Sequence, residues 1–239
     1  MTEAVRLSKR LIELVGCSRR EAELYIEGGW VSVDGEIVDR PQALVDSANI
    51  QLDPNAKAAS VPAATLLFNK PPGIEVSVES NAAPLLNASM RAANDNPATR
   101  VLSRHFARQM AILPLPGAAS GLQPFTQDGR LIFRMREDGH RIEQEINVAV
   151  SGQMAPGGLS ALSHGMRFKG RVLPPMKVSW QNETQLRFAI KGPQAGQLEW
   201  MCAQVGLQVS AIKRIRIGRI SLGKINPGEW RYLHAFEEF

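Results

Sequence analysis

Apolar residues at Val5, Leu7, Leu11, Leu14 and Val15 recur at helical spacing, with Arg6, Lys9 and Arg10 on other faces. This pattern predicts a helix over 5–15, stopped by Gly16. Ser18 followed three residues later by Glu21 reads as a capping box. It opens a second helix with Ala22 and Ile26 inward and Gly28-Gly29 as its stop. The period then shortens to two. Trp30–Val33, the turn Asp34-Gly35 and Glu36–Val38 form a predicted hairpin, and Asn49–Leu52 a further strand. Residues 54–63, PNAKAASVPA, carry no apolar period and read as a linker. Thr65–Phe68 is a strand running into the rigid turn Asn69–Gly73. Residues 79–99 are small, polar and broken by proline, which predicts a mobile loop with one helical turn. Residues 100–110 suit a short basic helix or an irregular strand equally.

Beyond the centre, Ser120-Gly121-Leu122 enters a strand to Thr126, and Asp128-Gly129 predicts a hairpin turn with Arg130–Met135 as the return strand. Ile142–Val150 is a strand, 159–165 a short helix, and Lys177–Trp180 and Thr184–Ile190 a strand pair. Gly196–Val205 is a helix ended by Gly206. Val209–Ile220, VSAIKRIRIGRI, alternates apolar and basic residues, so one face is predicted buried and the other positive. Trp230–Leu233 closes the sheet after the turn Asn226-Pro227-Gly228. The expected class is α+β, with a mixed, mainly antiparallel sheet flanked by helices.

At 239 residues, 44% hydrophobic and 21% charged, the chain has the composition of an ordinary globular protein. It has no apolar run of 18 or more residues, so no membrane span is expected. Charge alternates too finely at the N-terminus for a secretory signal. Cys17 and Cys202 are far apart, without ligand spacing, and are expected to be buried, reduced thiols in a cytoplasmic protein. No metal site is expected. Net charge is +5, a mild bias toward a polyanion. It is unevenly spread: residues 1–55 hold six Lys/Arg against ten Asp/Glu. Any polyanion binding there must come from local clusters. Arg19 and Arg20 in a helix's first turn oppose its dipole, so something else favours them, and an anionic partner is one candidate.

RLSKRL, SRREAELYI, GGWVSVDGEIV and the strand after them resemble an S4 domain, the small αL-type RNA-binding module, over residues 4–53. The resemblance implies RNA contacts from Arg6, Lys9, Arg10, Ser18, Arg19 and Arg20. LFNKPPG at 67–73, SGLQPFTQDG at 120–129, the segment 198–209 and IKRIRIGRISLGKINPGEWRYL at 212–233 resemble the RsuA/RluB/RluE/RluF family of bacterial ribosomal RNA pseudouridine synthases. The implied organisation is an S4 domain at 1–55, a linker at 56–63 and a pseudouridine-synthase-like domain at 64–239.

That family isomerises uridine in structured RNA by flipping the base, detaching it and rejoining it through carbon. It implies no cofactor and no metal. It needs an aspartate in a Gly-Arg-Leu-Asp motif before Ser-Gly-Leu. Ungapped, that motif falls on Leu113-Pro114-Leu115-Pro116, so the aspartate position is Pro116, which has no group able to act as nucleophile or base. The family tyrosine falls near Ile146. The arginine-rich helix entry reads Ala195-Gly196-Gln197-Leu198-Glu199-Trp200-Met201. Asp128, Asp95, Asp138 and Glu75 are poor substitutes: Asp128 lies at the far end of its strand, and the others are in loops. Lys70 is a candidate phosphate contact, as are Lys213, Arg214, Arg216 and Arg219 along one positive strand edge.

The expected protein is therefore a monomer that binds structured RNA, above all ribosomal RNA, without isomerase activity. The alternatives are an active synthase with a displaced nucleophile and a fold reused to bind a protein or small molecule.

Overall fold

The computed structural model describes residues 4–46, 49–77 and 85–239. Residues 79–84 of the predicted loop lie outside these. Of its remainder, Ala88–Met90 forms one 3-10 turn.

The N-terminal region packs the helices Leu7–Val15 and Arg19–Glu27 over a three-stranded sheet of Val31–Val33, Glu36–Ile37 and Ile50–Leu52. Ser18 accepts from the Glu21 amide while Glu21 reaches back to the Ser18 amide, completing the capping box. Asp34 and Gly35 both have positive φ, as a tight hairpin turn requires. Leu7, Leu11, Ala22, Ile26, Val31 and Val45 form a core of this region's own. Two details differ from the periodicity. Val5–Arg6 is not helical but pairs with Leu44–Val45. Leu14 and Val15 lie exposed, because the helix presents only its Leu7–Leu11 stripe to the second helix.

The rest of the chain is built on a nine-stranded sheet. Its main path runs Lys177–Asn182, Gln185–Lys191, Glu143–Gly152, Leu207–Ile217, Ser120–Thr126, Thr65–Lys70 and Trp230–Tyr232. All neighbours on this path are antiparallel except Leu207–Ile217 with Ser120–Thr126, which is parallel. That parallel contact demands Gly121. Its φ is +99°, and a Cβ there would sit 2.2 Å from the Arg214 carbonyl oxygen.

The predicted hairpin after Thr126 is replaced by a helix, Gly129–Asp138. Asp128 is its N-cap, accepting from the Arg130 amide, and Leu131 and Met135 are its buried i, i+4 pair. The Asp-Gly pair therefore starts a helix, because the residues after it carry a 3.6 rather than a 2 period. Residues 100–110 resolve into a 3-10 turn, Ser103–Phe106, and the short strand Met110–Ala111. Cys202 is buried and Cys17 half-buried, both as free thiols.

The N-terminal region meets this sheet through residues 100–104. Arg100 lies over the Trp30 ring, 3.7 Å from its centroid, and pairs with Asp53 at 2.6 Å. Arg104 pairs with Glu27, and Ser103 donates to Asp39. Gly29 admits Leu102, whose Cδ2 is 2.7 Å from where a Cβ would be. Three of the ten acids of residues 1–55 are thus turned toward residues 100–104.

Candidate functional site

The strand Glu143–Gly152 places Gln144, Ile146, Val148 and Val150 on one buried face. Where this face meets Leu207–Ile217, a cleft of about 590 Å³ opens. One wall is the loop Leu113–Ala119, the other the loop Gly192–Gly196 with the start of the helix Gln197–Gln204. Two buried amides hold these walls. Gln123 accepts from the Leu115 amide at 2.8 Å and donates to the Ile112 carbonyl. Gln197 accepts from the Gln194 amide at 3.1 Å. Pro116 is exposed in the first wall, and Ile146 is buried in the floor. The loop position and the strand position assigned by sequence to aspartate and tyrosine therefore face one cavity. Among the described residues lining it, Glu199 is the sole carboxylate.

Arg214 lies in the cleft floor, 2% exposed. Its Nε donates to the Leu122 carbonyl at 2.8 Å and its Nη1 to Gln144 Oε1 at 3.0 Å. Desolvation pulls its pKa down to about 9. The strand bulges between Arg214 and Arg216, so Arg214 lies opposite Ile146 and Arg216 opposite Glu145. The single positive edge expected over Lys213–Arg219 is consequently split. Arg216 sits on the other face, paired with Glu143 and Glu145 at 2.7 Å each, and Arg187 also pairs with Glu145. Burial would raise the Glu145 pKa, but the hydrogen bonds from the two arginines outweigh it and hold the carboxyl below its ordinary range. Lys213 is half-buried and Arg219 exposed, neither in an ion pair among the described residues.

Lys70 ends a strand, wholly buried. Its ammonium donates to the carbonyls of Pro71 (3.2 Å), Ile74 (2.8 Å) and Gly117 (3.1 Å). It ties the Pro71–Ile74 turn to the loop carrying Pro116, and is not presented to a ligand. Burial lowers its pKa. The charge of Glu75 opposes this and that of Arg214 adds to it. Glu75 is exposed, and its carboxylate lies against Gly117, 1.9 Å from where a Cβ would sit. Asp95 lies in a loop, as expected, but is buried and paired with Arg91 at 2.7 Å.

The cations of the two N-terminal helices are placed differently. Arg6, Lys9, Arg19 and Arg20 are exposed and Arg10 half-buried. Arg10 pairs with Glu13 and Arg19 with Glu23. Arg6, Lys9 and Arg20 have no ion-pair partner among the described residues. Ser18 is spent as the helix cap. The loop anchors Gln123 and Gln197 were not legible as functional positions. Their signal was only a glutamine inside an otherwise apolar strand or at a helix start.

No family model matches the chain. Over 235 residues it is 31% identical to the dual-specificity RNA pseudouridine synthase RluF of Escherichia coli strain K12, covering 96% of this chain and 76% of the relative. The chain belongs to the RluF/RsuA family of pseudouridine synthases. Ribosomal small subunit pseudouridine synthase A is a further member, 28% identical in Escherichia coli strain K12 and 25% in Vibrio cholerae, each over 96% of both chains. A crystal structure of a pseudouridylate synthase shares the fold, with a TM-score of 0.59 over 96% of both chains at 21% identity. Pro116 and Ile146, which the sequence resemblance assigns to the family's aspartate and tyrosine positions, both line the cleft. Among the described residues no helix is long and apolar enough to cross a membrane, and no group of three or more His, Cys, Asp or Glu could hold a metal.

Proposed function

We propose that this member of the pseudouridine synthase family binds structured RNA, ribosomal RNA in particular, and no longer isomerises uridine. The observation that carries the reading is the cleft itself. Pro116 and Ile146 line it, and Glu199 is its one described carboxylate. Base detachment needs a group that attacks or deprotonates the ribose, and proline offers none. Binding is assigned to the N-terminal region, read as an S4 domain spanning 1–55 and joined through 56–63 to the synthase-like domain of 64–239. Arg6, Lys9 and Arg20, without an ion-pair partner among the described residues, supply positive charge for phosphates, Arg10 and Arg19 supplement it, and Ser18 shapes the turn between the helices. Lys213 and Arg219 extend the contact along the sheet. The protein acts as a cytoplasmic monomer without cofactor or metal.

The test is incubation with unmodified ribosomal RNA followed by pseudouridine mapping and, in parallel, crosslinking in cells. Enriched RNA without new pseudouridine is expected. Site-specific pseudouridine abolished by Glu199→Gln would instead establish an active enzyme with a displaced carboxylate. Crosslinking that enriches no RNA would point to reuse of the fold for another ligand.

A further inference from the structure

The strand Gln185–Lys191 outruns its neighbour at the edge of the sheet. Lys177–Asn182 pairs with it only as far as Lys177 opposite Ala189. On its inner side the Val150 amide donates to the Thr184 carbonyl at 2.8 Å, in register with Gln185 opposite Ala149. Backbone groups alternate sides along a strand, so Leu186, Phe188 and Ile190 bond inward while Arg187, Ala189 and Lys191 turn theirs to the edge. Continued beyond Lys177, the edge register would set Pro175 against Lys191. Proline has no N–H to give. The chain has also left the sheet there, since the Met176 amide donates to the Ser163 carbonyl at 3.1 Å. The Lys191 N–H and C=O therefore face outward without a hydrogen-bond partner among the described residues.

This end of the strand lines a second cleft of about 510 Å³, which shares no lining residue with the cleft around Pro116. Met176 and Ile190 are its buried apolar lining, with Val178 half-buried beside them. Lys177, Lys191 and His164 are exposed around it, none in an ion pair among the described residues. Its one acid, Glu143, is already paired with Arg216 at 2.7 Å. We propose that this cleft takes a short extended segment of another protein, with an acidic residue next to an apolar one, which continues the sheet edge past Lys177. The segment's backbone bonds to the free N–H and C=O of Lys191. Its residue opposite Lys191 shares a face with Lys191 and Lys177, and that residue is acidic. The next residue alternates to the other face, toward Ile190, and is apolar. A nucleic acid would use the lysines but neither the paired backbone groups nor the apolar lining. The site does not depend on whether the N-terminal helices bind RNA.

The test is fluorescence anisotropy of the full chain with a labelled hexapeptide that alternates valine and glutamate. Saturable binding is expected. A peptide with glutamine for glutamate, and one N-methylated along its backbone so that it cannot pair with a strand edge, should each bind roughly tenfold more weakly or worse. Lys177→Glu combined with Lys191→Glu, both at exposed positions, should weaken the acidic peptide roughly a hundredfold while the thermal midpoint holds. With peptide bound, the Lys191 amide should gain protection from hydrogen exchange, which charge attraction at the rim alone does not produce. The triple variant Arg6→Ala, Lys9→Ala, Arg20→Ala should bind the peptide as wild type does, which separates this site from the N-terminal helices. Absence of saturable binding, equal binding of the glutamine or N-methylated peptide, or an unprotected Lys191 amide would overturn the proposal. So would displacement of the peptide by an oligouridylate, which would assign the lysines to RNA. Self-association of the chain that is lost in the double lysine variant would make a second copy the occupant, and would overturn it too.

Discussion

Arg6, Lys9 and Arg20 stand in solvent with no acidic partner among the described residues, whereas Arg214 lies buried in the cleft floor and Lys70 is folded into three carbonyls. Both regions are cationic, but the charges serve different ends. On the N-terminal helices they remain available, while Glu27, Asp39 and Asp53 of that region meet Arg104, Ser103 and Arg100. In the cleft they are built into the frame. Lys70 ties two loops together, and Arg214 bridges a carbonyl and an amide. A frame of this kind does not depend on the side chain at 116, because Gly121, Gln123 and Gln197 shape the cleft through backbone contacts elsewhere.

The harshest way to break the comparison is through the frame. Gly121→Ala should lower the stability of the sheet by about 4 kcal/mol or more, since its Cβ meets the Arg214 backbone and its φ is left-handed. A chemical denaturation midpoint close to wild type would show that the close approach is relieved cheaply. Next in size is the surface. Replacing Arg6, Lys9 and Arg20 together by alanine should weaken RNA binding roughly a hundredfold and reduce the slope of log affinity against log salt by about 3. The thermal midpoint should hardly move. An unchanged salt slope would remove these helices from the interface.

A smaller effect comes from the buried pair beside the closing strand. His105 Nδ1 lies 2.7 Å from the Tyr232 hydroxyl, and burial, with Arg104 adding to it, pushes the His105 pKa from 6.5 to about 4. The unfolded chain therefore binds more protons between these values, so stability is complete above pH 6.5 and declines as pH falls toward 4. The loss should be on the order of 2 kcal/mol. His105→Asn should flatten that part of the pH profile, and a profile as steep as wild type would assign the loss to other groups. The smallest effect belongs to the junction. Arg100→Ala removes the Trp30 stack and the Asp53 pair and should cost about 1 kcal/mol. It should also loosen hydrogen exchange in residues 30–53 while leaving the cleft strands protected. Equal loosening in both would mean that the regions are energetically one unit.

Most of the fold was legible. The capping box at Ser18 and Glu21, the Asp34-Gly35 turn and the alternation of 143–150 each name their element, because caps, turns and one-faced strands are local. The helix after Asp128 was misread because Asp-Gly serves both a hairpin turn and an N-cap, and only the i, i+4 pair Leu131 and Met135 distinguishes them. In the site, the assignment of 116 and 146 to the family's aspartate and tyrosine positions comes from the resemblance, and the structure puts both residues in one cleft. The roles of Lys70 and Arg214 were not legible: a lysine before Pro-Pro-Gly and an arginine in an alternating strand look exposed until their neighbours are known.

The sequence by itself determined most of the elements and the family framework, since these depend on spacing and residue type. The tertiary structure decided which cations remain available. One bulge between Arg214 and Arg216 sends two arginines that share a parity to opposite faces, one into a cleft and one onto two glutamates. No local signal encodes that division, because it arises from how one strand registers against a neighbour some seventy residues away.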